Sequence, residues 1–129
     1  MSKLYESGEN YLETILMLHE QQNYVRSVDV AHALNVSKPS VSRAMGILRD
    51  GGFITIAEDG NIILTDAGRE VAARIYERHR VLTQWLVDLG VSEETAAADA
   101  CKMEHDISAE SFDRLKQHLR EAHPNVLTE

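Results

Sequence analysis

A mainly α-helical fold with a single small β-hairpin is what this 129-residue sequence predicts, on three observations. Apolar residues recur at steps of three, four and seven along most of the chain, the spacing that lines one side of a helix. Only "FITIAEDGNIILT" reads as two β-rich runs, and these are joined around Asp59-Gly60, a pair suited to a tight hairpin turn. Prolines number just two, so little interrupts the helices.

Each element follows from its own residues. "GENYLETILMLHEQQ" predicts the first helix, with Leu12, Ile15, Leu16 and Leu18 supplying its apolar side. "SVDVAHALN" predicts a short helix capped by Ser27. After a turn at Val36, "SKPSVSRAMGILRDGG" predicts a second short helix. Ser37 is its N-cap, Pro39 is tolerated in its first turn, and Gly51-Gly52 stops it. Beyond the hairpin, Thr65 or Asp66 caps a long helix reaching about Leu89, with an apolar stripe of Ile75, Leu82, Leu86 and Leu89; Gly90 ends it. Ser92 caps a helix through "EETAAADACKMEH", and Ser108 caps the last, "AESFDRLKQHLREA". Pro124 marks a short tail left unassigned.

Helix, short helix, tight turn, short helix, β-hairpin is the order of a winged helix-turn-helix. Ala31 and Leu34 from the first short helix and Val41 and Leu48 from the second are the contacts that hold the pair at a steep angle. The predicted architecture is therefore an N-terminal winged helix-turn-helix over residues 1–65, followed by an α-helical region over 66–129.

Composition bounds the partners. A lone cysteine excludes an internal disulfide and suits a reducing compartment. No apolar run approaches the roughly 18 residues of a membrane helix, and the N-terminus lacks an apolar signal core, so an unprocessed cytoplasmic protein is expected, with no membrane partner. The net charge of −8 opposes binding to nucleic acid as a whole. Its distribution is uneven, however. From Gln22 to Ile56, Arg26, Lys38, Arg43 and Arg49 face Asp29 and Asp50, so this segment is +2 and the rest carries −10.

That basic segment contains the helix a winged helix-turn-helix inserts, N-terminus first, into the major groove. Ser37, Lys38, Pro39 and Ser40 stand at its start, with Ser42 and Arg43 one turn on. Serine hydroxyls and a proline ring allow close approach to base edges and thymine methyls, whereas Lys38 and Arg43 suit phosphates. Ser37 serves equally well as a cap and as a base contact. Few of these side chains read a base bidentately, so DNA shape is expected to carry much of the sequence preference.

A second constellation lies at "CKMEH". Cys101, Glu104 and His105 stand at i, i+3 and i+4, positions that share one helix face. A thiol, a carboxylate and an imidazole together suit a divalent transition metal, although a lone cysteine is more often a small core residue. His79 interrupts the apolar stripe of the long helix, where an imidazole needs a partner. On the first helix, Asn10 and Glu13 place an amide oxygen and a carboxylate three residues apart. Polar ligand types on three helices point to metal binding. His19, His32, His118 and His123 lack such company and are expected on the surface.

With these motifs in order, the chain resembles the metal-dependent repressors that include the diphtheria toxin repressor and the manganese transport regulator. "ENYLETILML", "VSKPSVSRAMGILRDGGFI", "LTDAGREVA", "RHRVL" and "ACKMEH" carry the resemblance over nearly the whole chain. It implies metal ligands at Asn10, Glu13, His79, Cys101, Glu104 and His105, and a C-terminal half that binds metal and dimerises. It also implies repression of iron or manganese homeostasis genes when metal is plentiful. Asn10 stands where the manganese sensors have aspartate and the iron sensors methionine. Cys101 matches the iron sensors, while Glu13 and the spacing from His79 to Cys101 match the manganese sensors. Thr83 and Ala97 occupy places where the iron type carries ligands of an ancillary site, so that site is not expected. The SH3-like domain of larger members has no counterpart in these residues.

The function expected is a homodimeric, metal-activated transcriptional repressor, not an enzyme, acting on a near-palindromic operator in double-stranded DNA. Ile107, Phe112 and Leu115 are expected to supply an apolar face beyond what a monomer needs. Cys101 favours Fe(II), with Mn(II) next because of Glu13; Zn, Co or Ni are expected to substitute in vitro. The competing expectation is a winged-helix regulator that needs no metal.

Overall fold

The computed structural model describes residues 6–122. His123 and Pro124, on which a surface histidine and a tail were expected, lie outside the described residues. In chain order the elements are α1 (Glu6–Gln21), α2 (Ser27–Leu34), α3 (Lys38–Asp50), β1 (Ile54–Ile56), β2 (Ile62–Leu64), α4 (Asp66–Asp88), α5 (Glu93–Met103) and α6 (Ala109–Ala122). The chain divides into two compact units, Met1–Arg74 and Ile75–Glu129, the division falling inside α4.

The first unit is the winged helix-turn-helix. Leu12 and Ile15 of α1, Val30 and Ala31 of α2, Val41, Met45 and Leu48 of α3, and Ile54, Ile62 and Leu64 of the hairpin form one buried cluster. Burial of large aliphatic side chains at about 1.5–3 kcal/mol each holds these elements together, since α2 and the two strands are too short to be stable alone. Ser37 caps α3 as expected: its Oγ accepts from the Ser40 N–H at 3.3 Å, and Pro39 sits in the first turn. Ser27 does not cap α2. Arg26 is the N-cap, and its N–H is taken by Asp29 Oδ2 at 2.9 Å. The first-turn carboxylate satisfies that amide from inside the helix, so α2 starts at Ser27 instead of after it. The turn to α3 passes through Asn35 in the left-handed region (φ 54°), which asparagine tolerates better than most residues.

The hairpin pairs Ile54 with Leu64, Thr55 with Ile63 and Ile56 with Ile62. Gly60 (φ 91°) makes its turn, and the Asn61 N–H donates to Asp59 Oδ1 at 3.0 Å, holding the Asp59 carboxyl below its ordinary value. The segment before α2 is stitched to the hairpin: the Ile62 N–H donates to Val25 O at 2.7 Å, and the Val25 N–H to Asn61 Oδ1 at 3.0 Å. His19 departs from its expected surface position. It is half-buried, with Nε2 2.6 Å from Ile62 O, because α1 packs against β2. His32 and His118 are exposed as expected. Thr65, not Asp66, caps α4: its Oγ1 accepts from the Gly68 N–H at 3.1 Å. A Cβ at Gly68 would stand 2.0 Å from Phe53 O, so only glycine lets α4 start this close to β1.

In the second unit Val81 of α4 and Phe112 and Leu119 of α6 form a core, with Trp85 and Ile107 against it. Lys116 pairs with Glu77, joining α6 to α4. Ser92 and Ser108 cap α5 and α6, accepting from the Thr95 N–H at 3.4 Å and the Ser111 N–H at 3.1 Å. Three expectations need correction. Leu89 is 65% exposed, because α4 ends at Asp88 and the backbone turns at Gly90 before the stripe reaches it. Phe112 is buried in the subunit's own core, so of the three residues expected on an outward apolar face only the half-buried Ile107 and Leu115 keep exposed apolar surface. Finally, α5 ends at Met103, two residues before His105.

Candidate metal centre and nucleic-acid interface

The early end of α5 decides how its ligand candidates are presented. Glu104 is the C-cap but keeps helical backbone angles (φ −61°, ψ −25°), and its N–H donates to Ala100 O at 2.9 Å. Cys101 and Glu104 therefore keep the expected i, i+3 relation, with Cys101 half-buried. His105 departs from the following turn, not from the helix. It still reaches the cluster, since its Nε2 lies 3.5 Å from Glu104 Oε2. From α4, His79 places Nδ1 2.8 Å from Glu104 Oε1. The structure thus brings His79, Glu104 and His105 together.

Glu104 is the centre of this group. Its residue is 0% exposed, and Oε2 has no hydrogen-bond partner among the described residues. A buried polar oxygen without a hydrogen bond costs about 1–3 kcal/mol, and a buried charge more. Two imidazoles and a carboxylate, with a thiol one turn earlier, are a donor set that divalent transition metals accept. A cation is the ligand that would use the bare oxygen. The residues fit a metal.

Thr83 and Ala97 hold the two positions at which no ancillary ligand is expected. The Thr83 hydroxyl donates to His79 O at 2.6 Å, within its own helix, and alanine offers no donor atom. In the first unit, Asn10 and Glu13 lie on α1. Asn10 is half-buried and Glu13 is 5% exposed, an unusual place for a glutamate between the core residues Leu12 and Ile15.

Arg78 was not foreseen. It is 6% exposed; its Nη1 donates to Glu104 O at 3.1 Å and to Ile107 O at 2.7 Å, and its guanidinium lies 5.4 Å from the centre of the Phe112 ring. In "ERHRVL" it looks like Arg80, which is exposed beside Tyr76. Spacing separates the two arginines, since Arg78 stands three residues after Ile75 and four before Leu82, within the apolar stripe, and Arg80 does not.

On α3, Val41, Met45 and Leu48 turn into the core. Ser37, Lys38, Pro39, Ser40, Ser42 and Arg43 are all exposed at its N-terminal end, as a groove-entering surface requires. Ile47 shares the side of Ser40 and Arg43 and is 66% exposed, an apolar member of that face that the spacing argument passed over.

A winged helix joined to a helical unit with a buried histidine–carboxylate cluster defines a metal-responsive DNA-binding protein. Residues 3–62 match the family model described as "Iron dependent repressor, N-terminal DNA binding domain", and residues 65–125 match "Iron dependent repressor, metal binding and dimerisation domain". The HTH-type transcriptional regulator MntR of Geobacillus kaustophilus is 35% identical over 109 residues, covering 84% of this chain and 77% of that protein. The manganese regulator SloR superposes with a TM-score of 0.79 at 25% identity, over 88% of this chain and 53% of SloR. IdeR of T. acidophilum superposes with a TM-score of 0.76 at 25% identity, over 92% of this chain and 55% of IdeR. The chain thus spans about half the length of these two solved regulators.

This protein belongs to the iron-dependent repressor family, which includes the MntR regulators. It is a metal-responsive, DNA-binding transcriptional regulator that uses a divalent metal and forms homodimers, and it is not an enzyme. Among the described residues, no helix is long and apolar enough to cross a membrane.

Proposed function

We propose that metal held by Asn10, Glu13, His79, Cys101, Glu104 and His105 switches on repression, with Ser37, Lys38, Pro39, Ser40, Ser42 and Arg43 facing DNA. The observation that carries this reading is the buried Glu104 carboxyl with its bare Oε2 between two imidazoles. In this reading residues 1–65 act as the reading head, residues 66–129 bind metal and dimerise, and the protein works in the cytoplasm. A two-fold dimer meets a near-palindromic operator with half-sites one helical turn, about 10 bp, or a multiple apart.

When bound, the divalent cation supplies positive charge and coordination that offset the buried carboxyl groups. Glu104 contributes a ligand from the C-cap of α5, His105 from the turn that follows, and His79 from α4. Asn10 and Glu13 contribute from α1, the helix whose Leu12 and Ile15 belong to the core shared with α2 and α3. Ligands drawn from the reading head link metal occupancy to DNA affinity, because a ligand that binds one arrangement better must favour it. Such couplings are typically about 1–3 kcal/mol, or about 5–150-fold.

Fe(II) and Mn(II) are the two candidates. The Cys101 thiol favours Fe(II), as thiolates rank softer ions above manganese. The relatives named for manganese, and the carboxylate of Glu13, favour Mn(II). The test is operator binding titrated anaerobically with each metal and with chelator. Affinity is expected to fall at least about tenfold on chelation and to return with Fe(II) or Mn(II). Equal affinity with and without metal would favour the metal-independent reading and end this one.

A further inference from the structure

We propose that Arg78 is a positioning residue for the metal centre, setting metal affinity by holding the turn that carries Glu104 and His105. The inference rests on the metal-centre reading above. Helix α5 ends at Met103, whose carbonyl accepts from the Asp106 and Ile107 N–H groups at 3.1 and 3.3 Å, so the carbonyls beyond it lie outside the helical ladder and need other partners. Arg78 Nη1 donates to two carbonyls at that exit, Glu104 O at 3.1 Å and Ile107 O at 2.7 Å. The next residue, His79, bonds Glu104 Oε1 at 2.8 Å. Consecutive residues of α4 therefore hold Glu104 twice, Arg78 by its backbone and His79 by its side chain.

The bonds at Glu104 and Ile107 bracket His105, the other ligand candidate of the turn. The guanidinium is itself fixed, since it is buried against the Phe112 ring of α6 at 5.4 Å. A cation at this spot also opposes the partial negative charge of the α5 C-terminus. The direction of the α5 exit, and with it where Glu104 and His105 point, is thereby referred to α4 and α6. Partners that orient metal ligands typically govern metal affinity by 10–100-fold.

The test uses the whole protein with Co(II), read by its visible d–d absorption under reducing, anaerobic conditions, beside thermal melts of the metal-free forms. Arg78→Lys keeps the charge on a shorter arm without the planar face that lies over Phe112. It is expected to weaken Co(II) binding about 10–100-fold and to alter the band shape, because the ligands shift. Leu119→Ala, which loosens the same core away from the turn, serves as the control and should bind Co(II) within about threefold of wild type.

Three outcomes separate the claims. If the wild type gives no Co(II) band, the metal-centre reading itself is wrong. If it binds while Arg78→Lys binds within twofold with an unchanged band, Arg78 does not position the site. If Leu119→Ala loses as much affinity as Arg78→Lys, the effect is general destabilisation and the proposal is overturned. Should Arg78→Lys fail to fold, Phe112→Leu removes the ring beneath the guanidinium while keeping apolar bulk. A Co(II) affinity and band equal to wild type in that variant would equally overturn it.

Discussion

Replacing Glu104 by glutamine should raise the stability of the metal-free protein and remove its response to metal, two changes of opposite sign from one substitution. The carboxyl group is wholly buried, one oxygen is bonded to His79, and the other has no hydrogen bond. Leaving that oxygen bare costs about 1–3 kcal/mol. Glutamine has nearly the same shape. It keeps an oxygen for His79 and turns an amide N–H₂ towards His105 Nε2, which stands 3.5 Å from the bare oxygen. A gain of about 1 kcal/mol should raise the melting temperature by about 3–6 °C for a chain of this size.

Wild-type protein at a metal concentration of about 100 Kd should gain about 2.7 kcal/mol, or roughly 8–16 °C. The variant, lacking a charged ligand, should gain less than about 1 kcal/mol. Calorimetric melts with chelator and with anaerobic Mn(II) or Fe(II) measure both quantities. An ordinary structural glutamate would give a destabilised variant. A metal-free Glu104→Gln less stable by more than about 1 kcal/mol, or an unchanged metal shift, would refute this account of the cluster.

The other predictions separate reading, holding and metal choice. Arg43→Ala should weaken binding to all duplexes about equally and lower the salt slope by about one unit, measured by titration at several ionic strengths. Substituting Pro39 or Ser40 should instead reorder the preferred operators in a competition assay; if Arg43→Ala reorders them too, the roles are misassigned. Cys101→Glu with Asn10→Asp should move activation of DNA binding towards Mn(II), while Cys101→Ala alone should reduce the preference for Fe(II). An unchanged metal order in Cys101→Ala would make Cys101 a packing residue.

Most of the fold was legible because most of it is local. Ser37, Ser92 and Ser108 each stand before an apolar-periodic run, and each caps the helix expected of it. Asp59-Gly60 carries the hairpin because a positive φ is needed there and glycine supplies it. The misplacements arose where two local signals competed or a distant surface intervened. Asp29 displaced Ser27 as the group that satisfies the start of α2. Gly90 ended the stripe before Leu89 could join it. His19 was drawn to a carbonyl 43 residues away in β2, which no spacing along α1 reveals.

The candidate site divides the same way. Cys101 and Glu104 could be paired from spacing, and His79 could be flagged because an imidazole in an aliphatic stripe conflicts with its surroundings. Arg78 offered the same conflict, standing three residues after Ile75 and four before Leu82, but arginine beside histidine in a charged run reads as a solvated face until Phe112 of α6 is seen against it. Conflict with local rules is thus the informative signal, and Glu104 carries the strongest one. A leucine or methionine there would fill an interior position without a bare oxygen, and interiors designed for stability alone avoid buried polar atoms left unsatisfied. Retaining the carboxyl group makes the metal-free protein less stable than it need be. Under the proposed metal-centre reading, that cost is free energy a bound cation would recover, which would tie the stability of this unit to the supply of metal.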